Sequence, residues 1–408
     1  MSEPQNSTAS STINSTPNST VQFFPIKGGV CAPSGFFADG LNCGLRSGDQ
    51  GDLAFVRSEK PCAVAAVFTS NRFACAHIQH ARKHIDRPSC GVIINAKNAN
   101  ALTGEAGVQA VETVLRAVPF ENPLMASTGV IGVPLPSEKI VAGLKQFDYN
   151  ARESDRAAKA ILTTDRWDKQ IAFEVKTERG SFKIGAMAKG AGMIAPQLAT
   201  MLCFVTTDAA VPKTALQAHL NACLDESFNA ISVDGDMSPN DTIYLFANGE
   251  SGAYDPQAFE LMLGRVLHFL ALEIARDGEG AKKLAAFEVK NAATKADAKK
   301  AGKMLAESLL VKTALFGEDP NWGRIASTIG AAQIECDPLA LTIAIGEVVV
   351  YDRGKNCMDS AIEAKAAAVL KNDSFRIVCD LGAGSETFVS YGCDLGYEYV
   401  KINADYRT

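Results

Sequence analysis

No run of apolar residues in the 408-residue chain approaches the roughly 20 that a bilayer-crossing helix needs, so a membrane-spanning role is not expected. No CxxC pair occurs among the 11 cysteines, and several, such as Cys203, stand inside apolar runs. Buried free thiols in a reducing cytoplasm are therefore expected, not a disulfide framework. There is no basic patch, and the formal net charge is −6, which argues against nucleic acid as the main partner. The first twenty residues lack lysine, arginine and any apolar stretch, so neither a signal peptide nor a transit peptide is expected. They do contain three Asn-Ser-Thr sequons, at Asn6, Asn14 and Asn18, yet their composition favours a disordered polar tail over residues 1–24.

What the chain does have is hydrophobic residues, 47% of the total, enough for a large core in roughly two or three domains. Short strands alternate with amphipathic helices, which gives an α/β class with mixed sheets layered with helices. "LAFVRS", "CAVAAVFTS" and "CGVIINA" read as strands, and "GEAGVQAVETVLRAV" as a helix with Val108, Val111, Val114 and Leu115 on one face. "SEKIVAGLKQF" starts a helix with Ser137 as its expected N-cap, and "SDRAAKAILTTD" is another, ending at Thr163 and Thr164. From about Ala285 the pattern restarts with strand "AAFEVKNA" and one long helix capped by Thr294. The strands "ALTIAIGEVVVY", "SFRIVCDLG" and "GYEYVKINADY" follow. The expected organisation is a catalytic α/β region at 25–284 and a smaller C-terminal α/β domain at 285–408.

Three candidate sites have duller explanations. "CAHIQHARKH" offers Cys75, His77, His80 and His84 for zinc, but His77 and His80 point opposite ways on an extended segment, so surface histidines are expected. "DGDMSPND" alternates like an EF-hand loop, but Pro239 stands at the sixth position and Leu245 at the twelfth. A polar turn bonding its own backbone fits better. "KGAG" lacks the Gly-Lys-Ser/Thr of a phosphate loop.

"KGAGMIAPQLAT" raises a different possibility. Thr200 follows small Ala199 at the end of a Gly/Pro-rich approach and opens the apolar run "MLCFVTTDAAV". A threonine hydroxyl becomes a working nucleophile when its base is its own α-amine, whose pKa of about 7.7–8.0 lies near neutrality. An internal threonine gains that amine if its hydroxyl attacks the preceding carbonyl and water then cleaves the ester. On spacing alone, Thr200 reads as an ordinary strand-start threonine.

The segment does not stand alone. "NANALTGEAG", "ASTGVIG", "KGAGMIAPQLATMLCFVTTDA", "SFNAISVDGD", "NDT", "RDGEGA", "LVKTALFGEDPNWGRIA" and the terminal "YVKINADYRT" resemble, in order, the blocks of the ornithine acetyltransferase family of arginine biosynthesis. The resemblance runs from about Gly29 to Thr408. It implies the self-processing threonine-nucleophile fold shared with the related self-cleaving aminopeptidases, and cleavage between Ala199 and Thr200. Thr200 matches the nucleophile, and Thr128 with Gly129 the oxyanion-hole pair. Thr163, Lys189, Thr200, Glu279, Asn403 and Thr408 match substrate-binding positions, with Thr163 or its neighbour Thr164 in the first place.

The implied activity is acetyl transfer from N2-acetylornithine to glutamate through an acetyl-threonine. Acetyl-CoA is a candidate second donor; no metal or organic cofactor is implied. The cleaved chains are expected to associate as an α2β2 heterotetramer in the cytoplasm. A self-processing amidohydrolase or aminopeptidase would share the nucleophile but give the acyl group to water. A non-catalytic interaction protein keeping the fold is disfavoured by the intact "LAT" and "STG". Departures from the family pattern are Pro239, Lys97 where glycine is common, and Lys282, close enough to Glu279 to bear on its electrostatics.

Overall fold

The computed structural model describes residues 11–16, 19–195 and 201–405, with side chains from Val21 onward. They fall into two compact units. The first comprises Met1–Gly190, Met201–Asp225 and Ser238–Leu270; the second comprises Ala191–Thr200, Glu226–Met237 and Ala271–Thr408. The expected boundary near residue 285 thus falls inside the second unit.

The first unit is built on strands β1 (Ser11–Thr16), β2 (Ser19–Pro25), β3 (Phe36–Leu41), β4 (Leu53–Phe68), β5 (Ser89–Asn95) and β6 (Leu124–Ser127). β7 (Lys169–Thr177), β8 (Gly180–Lys189) and β9 (Leu202–Thr207) follow. The second unit contributes β10 (Ile231–Ser232), and β11 (Thr242–Ala247) completes the first unit's sheet. Its order is β1-β2-β7-β8-β9-β11-β4-β5-β6, with β3 also on β4. The 16-residue β4 serves two sets of neighbours, β3 and β5 along its first part and β11 along its last. "LAFVRS" and "CAVAAVFTS" are therefore one strand, interrupted by an irregularity between Arg57 and Cys62.

Period-two alternation on β4 and β5 sends Ala54, Val56, Val92 and Ile94 to one core and Leu53, Phe55 and Ile93 to another. Helices cover both faces, which is why these strands read as unbroken apolar runs. The helices of this unit are α1 (Ala76–His84), α2 (Gly104–Arg116), α3 (Ser137–Leu144), α4 (Ser154–Ala160) and α5 (Lys213–Leu224). Val111, Val114, Ile140 and Leu144 of α2 and α3 fill one core; Ala157, Ala158 and Ala160 of α4 fill the other. The helix α6 (Pro256–Arg276) begins in this unit.

Three expectations fail here. Part of the polar tail forms strands: β2 pairs antiparallel with β1 and β7, and Val21 and Phe23 are buried. Alternating β-branched and aromatic residues, and an edge strand with free backbone groups, outweigh the polar composition. The histidine-bearing "CAHIQHARKH" is helix α1, not an extended segment, with Arg82, Lys83 and His84 in its last turn. In α3 the N-cap is Pro136, and Ser137 is the first helical residue.

In the second unit the strands β12 (Leu284–Ala292), β13 (Thr342–Ile345), β14 (Val348–Asp352), β15 (Lys355–Asn356), β16 (Ser374–Asp380) and β17 (Glu386–Cys393) join β10. Their order is β10-β17-β12-β16-β13-β14-β15. The helices are α7 (Lys295–Glu307), α8 (Leu309–Phe316), α9 (Trp322–Ala331), α10 (Ser360–Leu370) and α11 (Tyr397–Ala404). Phe287, Leu305, Leu315, Ile329, Ile343 and Ile377 lie in its core.

Thr294 caps α7 as expected, accepting the Asp297 N–H, but the expected single helix breaks at Ser308. That residue leaves the helical region (φ −63, ψ 112), and its hydroxyl caps α8 by accepting the Val311 N–H. "ALTIAIGEVVVY" is a hairpin of β13 and β14 turning at Gly346, whose φ is +59. The terminal "GYEYVKI" is helix α11, not a buried strand. Gly396 precedes it, Glu398 stands in its first turn and Lys401 in its last, and none of its residues is buried.

Candidate functional site

Thr128 and Gly129 follow β6, where the chain crosses the segment after β5. Thr128 N–H bonds Asn95 O at 3.0 Å and Val130 N–H bonds Lys97 O at 3.1 Å, which fixes both sides of Gly129. At φ +136 Gly129 occupies backbone space open to glycine, and a Cβ there would lie 2.1 Å from the carbonyl carbon of Lys97. Neither the Thr128 hydroxyl nor the Gly129 N–H has a hydrogen-bond partner among the described residues. Lys97 itself has φ +71, in the left-handed region that favours glycine.

Asparagines hold this loop. Asn95 Oδ1 accepts from Ser127 Oγ at 2.7 Å, and Asn240 Nδ2 donates to the carbonyls of Ala99 (2.6 Å) and Ser127 (2.8 Å). Asn98 Nδ2 reaches Val133 O and Pro134 O at 3.2 and 3.0 Å. The signal for these asparagines in the sequence is the spacing of "NAKNAN" and the motif "NDT".

In the same unit Thr163 and Lys189 come together: Lys189 Nζ donates to Thr163 Oγ1 at 2.8 Å. Lys189 is the last residue of β8, and Thr163 lies in the loop between α4 and β7. Asp165 joins them. Its Oδ1 accepts from Lys169 Nζ (2.9 Å) and Gly190 N–H (2.6 Å), while Oδ2 accepts the Thr163 N–H (3.1 Å) and lies 3.7 Å from Lys189 Nζ. Burial alone pushes this carboxyl up. Lys189, Lys169 and the Gly190 N–H outweigh it and hold Asp165 below the usual carboxylate range.

In the second unit Glu279 and Asn403 come together. Glu279 N–H bonds Ala191 O at 2.8 Å, and Asn403 Nδ2 donates to Glu279 Oε2 at 2.7 Å and to Tyr399 O at 2.9 Å. Gly192 allows this packing, since a Cβ on it would lie 2.4 Å from the Glu279 carboxylate. Lys282 does not pair with Glu279: its ammonium sits 5.6 Å from the centre of the Phe316 ring, and its N–H bonds Asp394. Asp234 accepts the N–H groups of Met193 (2.6 Å) and Ile194 (2.8 Å), and Asp236 N–H as the expected polar turn.

Ala199, Thr200 and Thr408 lie outside the described residues. Met201 opens the first unit's next segment, its N–H held by Asp241 Oδ1 at 3.2 Å. Asp241 is fully enclosed; burial pushes its carboxyl well up, and Oδ2 has no partner among the described residues.

The histidine cluster separates. His77 is buried, with Cys75 Sγ and Thr242 Oγ1 each 3.0 Å from its ring nitrogens, and burial lowers its pKa to about 3. The expectation of a surface histidine fails there, because α1 turns His77 inward. No group of three or more His, Cys, Asp or Glu among the described residues could hold a metal ion. All 11 cysteines are free, and no helix among the described residues is long and apolar enough to cross a membrane.

A family model described as the ArgJ family matches residues 37–408. "Arginine biosynthesis bifunctional protein ArgJ" of Wolinella succinogenes is 56% identical over 392 residues, 94% of this chain and 99% of that protein. The protein of the same name from Symbiobacterium thermophilum is 42% identical over 401 residues, again 94% and 99%. Among solved structures, the bifunctional protein argJ of Bacillus halodurans is 41% identical, with TM-score 0.48, over 49% of this chain and 97% of that one. Ornithine acetyltransferase from Mycobacterium tuberculosis, complexed with ornithine, is 31% identical, with TM-score 0.37, over 43% and 98%.

Proposed function

Because the chain belongs to the ArgJ family, we propose that it transfers the acetyl group of N2-acetylornithine to glutamate on the self-processing threonine-nucleophile fold that membership implies. Near-full-length identity to proteins named for arginine biosynthesis carries this reading.

The chemistry starts with processing. The Thr200 hydroxyl attacks the Ala199 carbonyl and the amide C–N bond breaks, giving an ester and releasing the Thr200 α-amine; water then cleaves the ester, leaving a carboxylate on Ala199 and freeing the hydroxyl. In turnover that amine takes the hydroxyl proton as the oxygen attacks the acetyl carbonyl. Ornithine leaves with a proton on its amine. The neutral amine of glutamate then attacks the acetyl-threonine, giving N-acetylglutamate and restoring the hydroxyl.

Both half-reactions pass through a tetrahedral oxyanion. The unpartnered Thr128 hydroxyl and Gly129 N–H support its stabilisation there, each donor being worth roughly 3 kcal/mol in such a site. Lys189 and Thr163 take the substrate carboxylate, Glu279 takes the ammonium, and Asn403 and Thr408 complete the polar contacts. Written this way, the transfer needs no metal or organic cofactor.

The cut chains stay associated. β8 precedes the cut and β9 follows it, yet the two are hydrogen-bonded from Ile184↔Thr207 to Lys189↔Leu202. Family resemblance supports an α2β2 assembly and a cytoplasmic location. The relatives' designation as bifunctional supports acetyl-CoA as a second donor.

The test is product formation by purified protein, with N2-acetylornithine plus glutamate beside acetyl-CoA plus glutamate. N-Acetylglutamate is expected from both mixtures. Hydrolysis of acetylornithine with no transfer to glutamate would instead assign the chain to the amidohydrolase reading.

A further inference from the structure

Lys189 does not meet Asp165 alone. The carboxylate, with no exposed side-chain surface, is shared by two buried ammonium groups, Lys169 at 2.9 Å and Lys189 at 3.7 Å. Its remaining bonds are to the backbone N–H groups of Thr163 and Gly190. One side chain thus pins the loop that carries Thr163, the turn that follows β8 and the head of Lys189. Lys169 opens β7, where it pairs with Ala188, so its position is set by the sheet.

The distances differ in a way that matters. Lys169 makes the close contact with Asp165, whereas Lys189 stands farther off and spends its short hydrogen bond on the Thr163 hydroxyl. A carboxylate engaged by Lys189 alone would draw that ammonium into a tight pair, competing with a second carboxylate for the same charge. Lys169 occupies Asp165, and Lys189 stays aimed but not captured. Removing Asp165 would leave two buried ammonium groups without the carboxylate they share, although Lys169 keeps its bond to Trp167 O at 3.1 Å.

We propose that Asp165 and Lys169 are positioning residues that hold Lys189 and Thr163 ready for the substrate carboxylate. The proposal rests on the reading of Lys189 as the carboxylate anchor. Neither residue touches the reacting atoms. Their effect is on recognition of one substrate group, and it should vanish when that group is absent.

That condition sets the experiment. The second-order rate constant for acetyl-enzyme formation is measured in single turnover, without glutamate, for the processed enzyme with N2-acetylornithine and with its carboxamide, which lacks the negative charge. Asp165→Asn should lower the value for the acid roughly 10-fold or more, as expected for one charge-assisted contact, and leave the carboxamide little changed. In a Lys189→Met background Asp165→Asn should add little, because the two act through one contact.

Lys169→Met is the second variant, useful if Asp165→Asn does not fold. It frees Asp165 to capture Lys189, and it should show the same selective loss for the acid. Equal losses with both substrates, or no loss with either, would overturn the proposal. A wild-type enzyme that forms no acetyl-enzyme from either compound would instead remove the functional reading beneath it.

Discussion

Asn403 Nδ2 and Glu279 Oε2 lie 2.7 Å apart, making one hydrogen-bonded pair of residues 124 positions apart in sequence. Glu279 is largely buried, and the second Asn403 contact, to Tyr399 O, keeps the amide turned toward it. The final helix is thereby tied to the segment after α6 through a side chain proposed to contact the substrate.

Asn403→Ala should therefore leave a mostly buried carboxylate short of a donor, at a cost of roughly 1–3 kcal/mol. KM for acetylornithine should rise about tenfold, with self-cleavage unaffected. Steady-state kinetics beside a denaturing gel tests this, and an unchanged KM contradicts it.

Thr128→Ala removes one of two unpartnered donors and should lower kcat by roughly 10²–10³. Gly129→Ala acts differently, because a Cβ would meet the Lys97 backbone at φ +136. It should destabilise the fold itself, so its melting temperature falls while that of Thr128→Ala does not. Equal melting temperatures for the two variants would show that the loop yields more readily than its geometry indicates.

Sequence patterning exposed the parts of the fold that rest on local rules. The apolar face of α2 and the Thr294 cap each depend on residues within one or two turns. The terminal helix was hidden because Tyr397 and Tyr399 alternate with polar neighbours, as in a strand. Gly396, Glu398 and Lys401 supply the helical signals, and Tyr397 and Val400 remain exposed. The burial of His77 is not visible in the sequence, because an extended segment and a helix point it in opposite directions.

The site was legible only through family resemblance, and Asp165 escaped even that. In "TTDRWDKQ" it looks like a solvated loop charge. Its meaning comes from Lys189 and Gly190, which the sheet brings back from the far end of β8. Asp241 likewise looks like one polar residue among several in "SPND".

Asp241 makes a pH-dependent prediction of definite sign. Burial raises its folded-state pKa, so the stability linked to its proton is fully present below the unfolded value of about 3.9 and is lost as pH rises through the folded value. Asp241→Asn keeps an oxygen for Met201 N–H but does not titrate. As pH rises above about 4, the melting temperature of wild type should fall relative to that of the variant. Parallel curves would contradict the assignment.

Phe23→Ala tests the strand in the N-terminal segment. The ring is buried, edge-on to Phe173 with centroids 6.0 Å apart, and the Arg265 guanidinium lies 4.5 Å from its centre. A loss of roughly 3 kcal/mol in chemical denaturation is expected. A change within about 0.5 kcal/mol, the range of ordinary surface substitutions, would place Phe23 outside the core.

Intact-mass analysis of the purified protein, incubated with N2-acetylornithine and no glutamate, tests the acetyl-threonine mechanism most directly. The predicted result is two chains, the second beginning Thr200-Met-Leu-Cys and carrying one acetyl group on Thr200 that disappears when glutamate is added. A single uncleaved chain with full activity, or turnover in which that chain never becomes acetylated, would contradict it.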